Sequence, residues 1–253
     1  MIFETHAHYD DEAFDEDRES LLRSLYEAGI EYVVNVGSSI ETTKKTLELI
    51  KRFPFVYGAV GVHPSETEEL NEDNFKWLKK VGQDPKVVAI GEIGLDYHWD
   101  TPDKQIQKEW FLRQMDLAKE LKLPVIIHSR DAAADTYDLI QEAQLTKGVI
   151  HCFSYSKEMA KNYLDMGFYL GIGGVVTFKN ARKLKEVVEY APITQLVLET
   201  DCPYLAPEPN RGKRNSSLNL PYVAEEIARL KGLTYEEVVS ITEQNARKLY
   251  GLL

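Results

Sequence analysis

The chain has 253 residues, 43% of them hydrophobic and 28% charged, with a formal net charge of −11. That length fits one (β/α)8 barrel and leaves no room for two large domains, and the composition is that of a folded chain rather than a disordered one. The acidic balance argues against non-specific binding along a nucleic-acid backbone, yet allows an anionic substrate gripped at one small site where divalent cations reverse the local sign.

The chain opens Met1-Ile2-Phe3-Glu4, with no basic n-region and no long apolar stretch, so neither a signal peptide nor a membrane span is expected. Short apolar runs then predict strands over 2–4, 31–36, 56–61, 87–91, 124–127, 147–150, 168–172 and 195–198. The segments between them carry helical spacing, as in Leu21, Leu22, Leu25 and Ala28, or Trp110, Met115, Leu117, Ala118 and Leu121. Eight strands alternating with helices predict an α/β fold, a single (β/α)8 TIM barrel spanning 1–253. No glycine-rich dinucleotide fingerprint supports an open doubly wound sheet instead. The stretch 203–220, rich in Pro, Asn, Gly and Ser, is expected to be a structured loop over the site, and 235–252 to form one or two extra C-terminal helices packed on the outside. The two cysteines, Cys152 and Cys202, make neither a disulfide framework nor a metal-finger spacing, so a reducing cytoplasm is the expected location.

The active face of such a barrel lies at the C-terminal ends of its strands. In chain order those ends carry His6 and His8, then His63, Glu92, His128, His151, and Glu199 with Asp201. Residues i and i+2 of a strand face one side, so the imidazoles of His6 and His8 can address one ion. An isolated His-x-His would read equally well as two incidental polar residues; further ligand types at other strand ends decide for metal. Glu92 has two oxygens and can bridge two cations, which an imidazole cannot. His128 and His151 each close a buried apolar run at matching places, which favours ligation over a merely satisfied core histidine. Glu199 and Asp201 are expected to share a face of the last strand. Asp201, nearer the mouth, is the candidate metal ligand and proton acceptor. Glu199, a layer deeper, needs a partner such as the second nitrogen of a ligating histidine, and His63 is expected either to be that partner or to touch substrate. Asp201, Glu199 and Glu92 are thus the candidate catalytic residues. Cys152 and Cys202 each follow a ligand position and are expected to point away into packing. Arg130 and the cluster Arg211-Gly212-Lys213-Arg214 are placed to hold the oxygens of an anionic substrate. His98, in a loop with Tyr97 and Trp99, is read as surface.

Taken together, Thr5-His6-Ala7-His8, Gly61-Val62-His63-Pro64, Gly91-Glu92-Ile93-Gly94-Leu95-Asp96-Tyr97, His128-Ser129-Arg130, His151-Cys152-Phe153-Ser154, Glu199-Thr200-Asp201-Cys202-Pro203-Tyr204-Leu205-Ala206-Pro207 and the segment from Arg211 to Asn215 resemble the TatD family of metal-dependent deoxyribonucleases, among the amidohydrolase-like TIM-barrel hydrolases. The resemblance implies one cation on His6, His8, Glu92 and Asp201, and a second on Glu92, His128 and His151. It also implies hydrolysis of phosphodiester bonds in DNA, typically as an exonuclease. The sequence departs from the family pattern at Glu4, where Asp is usual, at Tyr155, where Gly is common, and in the run Ser-Ser-Leu-Asn-Leu after Asn215. None of these touches an expected ligand. The expected cofactors are two divalent cations, zinc, manganese or magnesium, and the expected substrate is DNA, mainly single strands or strand ends, with no membrane and no obligate protein partner. Two rival readings are an amide or ester hydrolase on the same binuclear site and a metal-binding protein without catalysis.

Overall fold

In the computed structural model, which describes residues 1–252, eight parallel strands pair in sequence order around a barrel. They are β1 (Ile2–Ala7), β2 (Ile30–Val36), β3 (Val56–Val60), β4 (Val87–Asp96), β5 (Val125–Arg130), β6 (Gly148–Ile150), β7 (Tyr169–Ile172) and β8 (Leu196–Leu198). The helices are α1 (Arg18–Glu27), α2 (Ile40–Arg52), α3 (Glu72–Val81), α4 (Lys104–Leu121), α5 (Ala133–Glu142), α6 (Lys157–Asp165), α7 (Arg182–Tyr190), α8 (Leu220–Lys231) and α9 (Tyr235–Tyr250). Among the described residues no helix is long and apolar enough to cross a membrane.

Each predicted strand forms, but β1, β4 and β5 run further towards the mouth than their apolar runs indicated. The extra length is paired backbone under polar side chains: Gly94, Leu95 and Asp96 of β4 stand opposite His128, Ser129 and Arg130 of β5. Gly94 is required there, because its φ is +149° and a Cβ would fall 1.9 Å from the His128 carbonyl oxygen. Between Glu4 and Ala7 of β1, and between Ile90 and Ile93 of β4, the register gains one residue. Such bulges re-aim side chains beside active sites, and these two contain His6 and Glu92.

The barrel closes between β1 and the end of β8. Ala7 bridges Cys202, the Asp201 N–H donates to the His6 carbonyl (3.0 Å), and the His8 N–H donates to the Cys202 carbonyl (2.9 Å). Beneath this seam the buried Glu4 carboxylate accepts from the Thr200 N–H (2.9 Å), the Thr200 hydroxyl (2.6 Å) and the Ser217 hydroxyl (2.8 Å). The glutamate at the family's usual aspartate position therefore ties the first strand to the last, and, contrary to expectation, it touches a candidate ligand, accepting from the His6 N–H at 3.2 Å.

Inside the barrel Phe3, Val34, Val36, Ala59, Ile126, Val149 and Val197 form one apolar cluster. Burying a side chain of the size of Val, Ile or Phe stabilises by roughly 1.5–3 kcal/mol. The single terminal helix is not simply external. Ala246, Leu249 and Tyr250 of α9 belong to the interior cluster, the Tyr250 hydroxyl donates to the Thr5 carbonyl (3.0 Å), and the Asn245 amide caps the Leu196 carbonyl (2.8 Å). An apolar last turn fills the N-terminal mouth, so the opposite mouth is the open one.

Candidate metal centre

The open mouth is a cleft of about 690 Å³ lined by His8, His63, Glu92, Asp96, His128, His151 and Asp201, with Asp10, Asp11, Glu12, Glu66, Lys45, Arg130, Trp99 and Tyr204 among its walls. At its floor two histidine pairs converge. His6 Nε2 and His8 Nε2 lie 3.1 Å apart, and His128 Nδ1 and His151 Nε2 lie 3.4 Å apart. Two nitrogens each about 2.0–2.1 Å from one ion at a tetrahedral angle lie about 3.3 Å apart, so each pair has the spacing of two ligands on one cation.

Glu92 stands between the pairs with its oxygens divided. Oε2 is 3.5 Å from His6 Nε2 and 3.8 Å from His8 Nε2. Oε1 is 2.8 Å from His128 Nδ1 and 2.9 Å from His151 Nε2. Asp201 Oδ1 joins the first pair, 3.3 Å from His8 and 3.7 Å from His6. His63 joins the second, its Nε2 3.8 Å from Glu92 Oε1 and its ring 4.2 Å edge-on to His128.

The outward nitrogens of His8 and His128 each have an acceptor. His8 Nδ1 donates to the Val36 carbonyl (2.8 Å), which leaves Nε2 with a lone pair for the centre. His128 Nε2 faces Asp96 Oδ2 at 3.2 Å. His6 and His151 stack with ring centroids 4.0 Å apart, and Glu199 lies beneath both, a Glu199 oxygen and one ring nitrogen from each lying within 4.8 Å of one another. His6 Nδ1, His151 Nδ1 and Glu199 Oε2 are buried without a hydrogen-bond partner among the described residues. Glu199 Oε1 accepts from the Cys152 N–H at 2.5 Å. Its carboxylate covers Gly171 of β7 so closely that a Cβ there would fall 2.1 Å from Oε2. The donor set and these orphaned atoms fit bound metal, which needs neutral imidazoles directed inward and acceptors behind them.

The charges of these clustered groups are strongly coupled. Burial opposes ionisation of Glu92, but the positive His151, then hydrogen bonds from His128, His151 and His6, hold it well below the usual carboxylate range. Burial also opposes a charged His8, but Asp201, Glu92 and Asp10 outweigh it and push it up to about 9. His63 moves the other way, to about 3, through burial and then the neighbouring His128.

The structure thus brings His6, His8, His63, Glu92, His128, His151 and Asp201 together, and corrects three expectations. Glu199 and Asp201 do not share a strand face, because β8 ends at Leu198 and Asp201 turns at φ +56°. Glu199, 1% exposed, lies against His151 and His6, as expected of a partner to candidate ligands, while His63 takes its alternative place on the cleft lining. Cys152, at φ +45°, is half-buried rather than in the core, because a left-handed residue breaks the alternation of an extended strand; Cys202 is buried as expected. Arg211 and Arg214 do not line the cleft. Arg214 donates to Asp17 (2.8 and 2.5 Å) and the Ala13 carbonyl (2.7 Å) over the Phe14 ring, and Arg211 lies over Phe178. Arg130 does line it, and Lys45 of α2, not foreseen, joins it. Asp96 was also missed, although its even spacing from Glu92 along one strand is the signal that sets both on one face.

A parallel barrel with paired histidines and a shared carboxylate at its C-terminal mouth defines a metal-dependent hydrolase of the TIM-barrel type. The chain belongs to the TatD related DNase family, whose profile matches residues 3–251. It is 47% identical over 252 residues to the uncharacterized metal-dependent hydrolase YabD of Bacillus subtilis, covering 99% of each chain. It is 31% identical over 244 residues to the 3'-5' ssDNA/RNA exonuclease TatD of Salmonella typhimurium, covering 94% of each. The crystal structure of the TatD homolog YjjV of Escherichia coli superposes with a TM-score of 0.94 at 29% identity, over 99% of this chain and 98% of that one.

Proposed function

We propose that this hydrolase cleaves phosphodiester bonds in DNA from strand ends, with two divalent cations at the barrel mouth. The observation that carries the two-cation reading is the division of Glu92, one oxygen to each histidine pair. His6, His8, Glu92 and Asp201 would hold one cation, and Glu92, His128 and His151 the other. When bound, the cations supply Lewis-acid chemistry, activating water at neutral pH and neutralising the phosphoryl oxygens.

The remaining work falls to the protein. Asp201, the carboxylate nearest the mouth, takes the proton of the attacking water, and its depressed affinity for protons keeps it ionised and ready. Glu199 holds the stacked His6 and His151, and Asp96 holds His128, so that the inward nitrogens stay aimed. Arg130 and Lys45 are the cations at the cleft wall that can meet neighbouring phosphates.

Support for a nucleic-acid substrate comes from the family and from the Salmonella relative's activity on single strands. End-labelled and circular single strands, incubated with zinc, manganese or magnesium, test it. Linear strands are expected to shorten from one end while circles persist. Circles cut as fast as linear strands would end the exonuclease reading, and turnover confined to carboxylic esters or amides would end the nuclease reading.

A further inference from the structure

Two large apolar side chains in the cleft are exposed, Trp99 at 58% and Tyr204 at 56%. Trp99 stands in the loop that follows β4, and Tyr204 in the loop that follows β8. In a barrel ordered β1 to β8, those strands are diametrically opposed, so the two aromatics rise on opposite sides of the mouth. The same strands deliver Glu92 and, just beyond β8, Asp201, which puts the metal centre between them.

Tyr204 is held by hydrogen bonds, and the loop that carries Trp99 is anchored at its base. The Tyr204 hydroxyl donates to Asp11 Oδ2 at 3.1 Å, and the buried Asn215 amide donates to the Tyr204 carbonyl at 2.8 Å and the Thr200 carbonyl at 3.1 Å. Asn215 closes the segment Arg211 to Asn215, so that stretch serves as a clasp on the Tyr204 turn. Trp99 meets the His98 ring edge-on at 4.8 Å, and the His98 N–H donates to Asp96 Oδ1 at 2.9 Å, which ties the Trp99 loop to the residue behind His128. An apolar face held open to water beside a reaction centre is a binding surface in waiting.

The charge of the cleft says what kind. Asp10, Asp11, Glu12 and Glu66 line the wall beyond the candidate ligands, against Lys45 and Arg130 as the cations. A polyanion therefore gains little from backbone attraction away from the metals. Stacking on the π-face of a base needs no charge and accepts any base, but in a duplex both faces are already occupied by neighbours.

We infer that Trp99 and Tyr204 form a two-sided clamp that stacks unpaired nucleobases on either side of the scissile phosphate. The inference rests on the nuclease reading above and adds the determinant that selects single strands over duplex.

The test compares a natural single strand with one made abasic at its terminal positions. Trp99→Ala and Tyr204→Ala are each expected to raise KM on the natural strand about tenfold, with a far smaller change in kcat. On the abasic strand that penalty is expected to vanish, because the ring has lost its partner. A readout independent of turnover is tryptophan emission of the metal-loaded protein with oligonucleotides whose terminal linkages resist hydrolysis. The natural oligonucleotide is expected to quench it in the wild type and the abasic strand not to. Trp99→Phe is expected to lose the quenching while keeping the wild-type KM, since phenylalanine still stacks. Equal penalties on natural and abasic strands, or quenching that survives in Trp99→Phe, would overturn the clamp and leave the nuclease reading standing. A wild type that turns over methyl p-nitrophenyl phosphate but neither strand would overturn the nuclease reading and the clamp with it.

Discussion

The two halves of the metal centre are built differently. In the β1–β8 half, His6 lies on β1 and His8 just beyond its end, and the third contact, Asp201, comes from a left-handed turn across the barrel seam. In the β5–β6 half, His128 lies on β5 and His151 just beyond the end of neighbouring β6, and both approach Glu92 to within 2.9 Å. The first half is looser around Glu92, at 3.5 and 3.8 Å, and carries Asp201, the carboxylate proposed to accept the proton. The second is tighter around it and is backed by Asp96. On the proposed two-cation reading, the difference implies a division of labour: one half would position the attacking water, the other would anchor the bridge, and Glu92 and Glu199 would each serve both.

Substitutions can break that comparison at graded cost. Glu92→Gln should have the largest effect, because a neutral amide neither balances nor bridges two cations. Both metal equivalents should fall on elemental analysis, and the rate should drop roughly a thousandfold or more. His128→Ala should damage one half only, leaving near one equivalent of metal and background turnover; two equivalents with normal turnover would remove it from the ligand set. Glu199→Gln and Asp96→Asn touch no metal but loosen its ligands, and should cost about 10–100-fold in metal affinity or activity. Glu199→Gln should weaken both sites and Asp96→Asn chiefly the second, which competitive chelation can resolve. Replacing Arg211 and Arg214 with Ala should be nearly silent, shifting KM on DNA by less than about twofold, since their surface contacts contribute little and neither lines the cleft.

Protonation sharpens the same contrast. His8 is pushed up to about 9 without metal, so below that pH its proton must leave before the first site fills. Metal affinity of that site should rise about tenfold per pH unit between pH 6 and 8 and level off above about 9. Calorimetry in buffers of different ionisation enthalpy would show the released proton. Affinity independent of pH across that range would contradict the arrangement.

Much of this was legible in the sequence, because apolar runs of buried parallel strands and the chemistry of their last residues are local signals. The eight strands, and the gathering of the candidate ligands His6, His8, Glu92, His128, His151 and Asp201 at one mouth, fall into that class. What escaped depends on contacts made far along the chain. Asp96 lay in the quoted motif, but its role needs β4 to continue past Glu92 and pair with β5. Arg214 reads as a phosphate grip until Asp17, distant in sequence, is seen to hold it. The terminal helix reads as external because its amphipathic pattern does not say that its last turn enters the barrel. Left-handed turns at Cys152 and Asp201 defeated the strand alternation used to orient them.

The central claim is that the two oxygens of Glu92 serve two different cations. It is tested most directly by an anomalous difference map of crystals grown with manganese or zinc. Two peaks are expected at the barrel mouth, on opposite sides of the Glu92 carboxylate, one against His6, His8 and Asp201 and the other against His128 and His151. A single peak at full metal saturation, or two peaks that do not share Glu92, would contradict it.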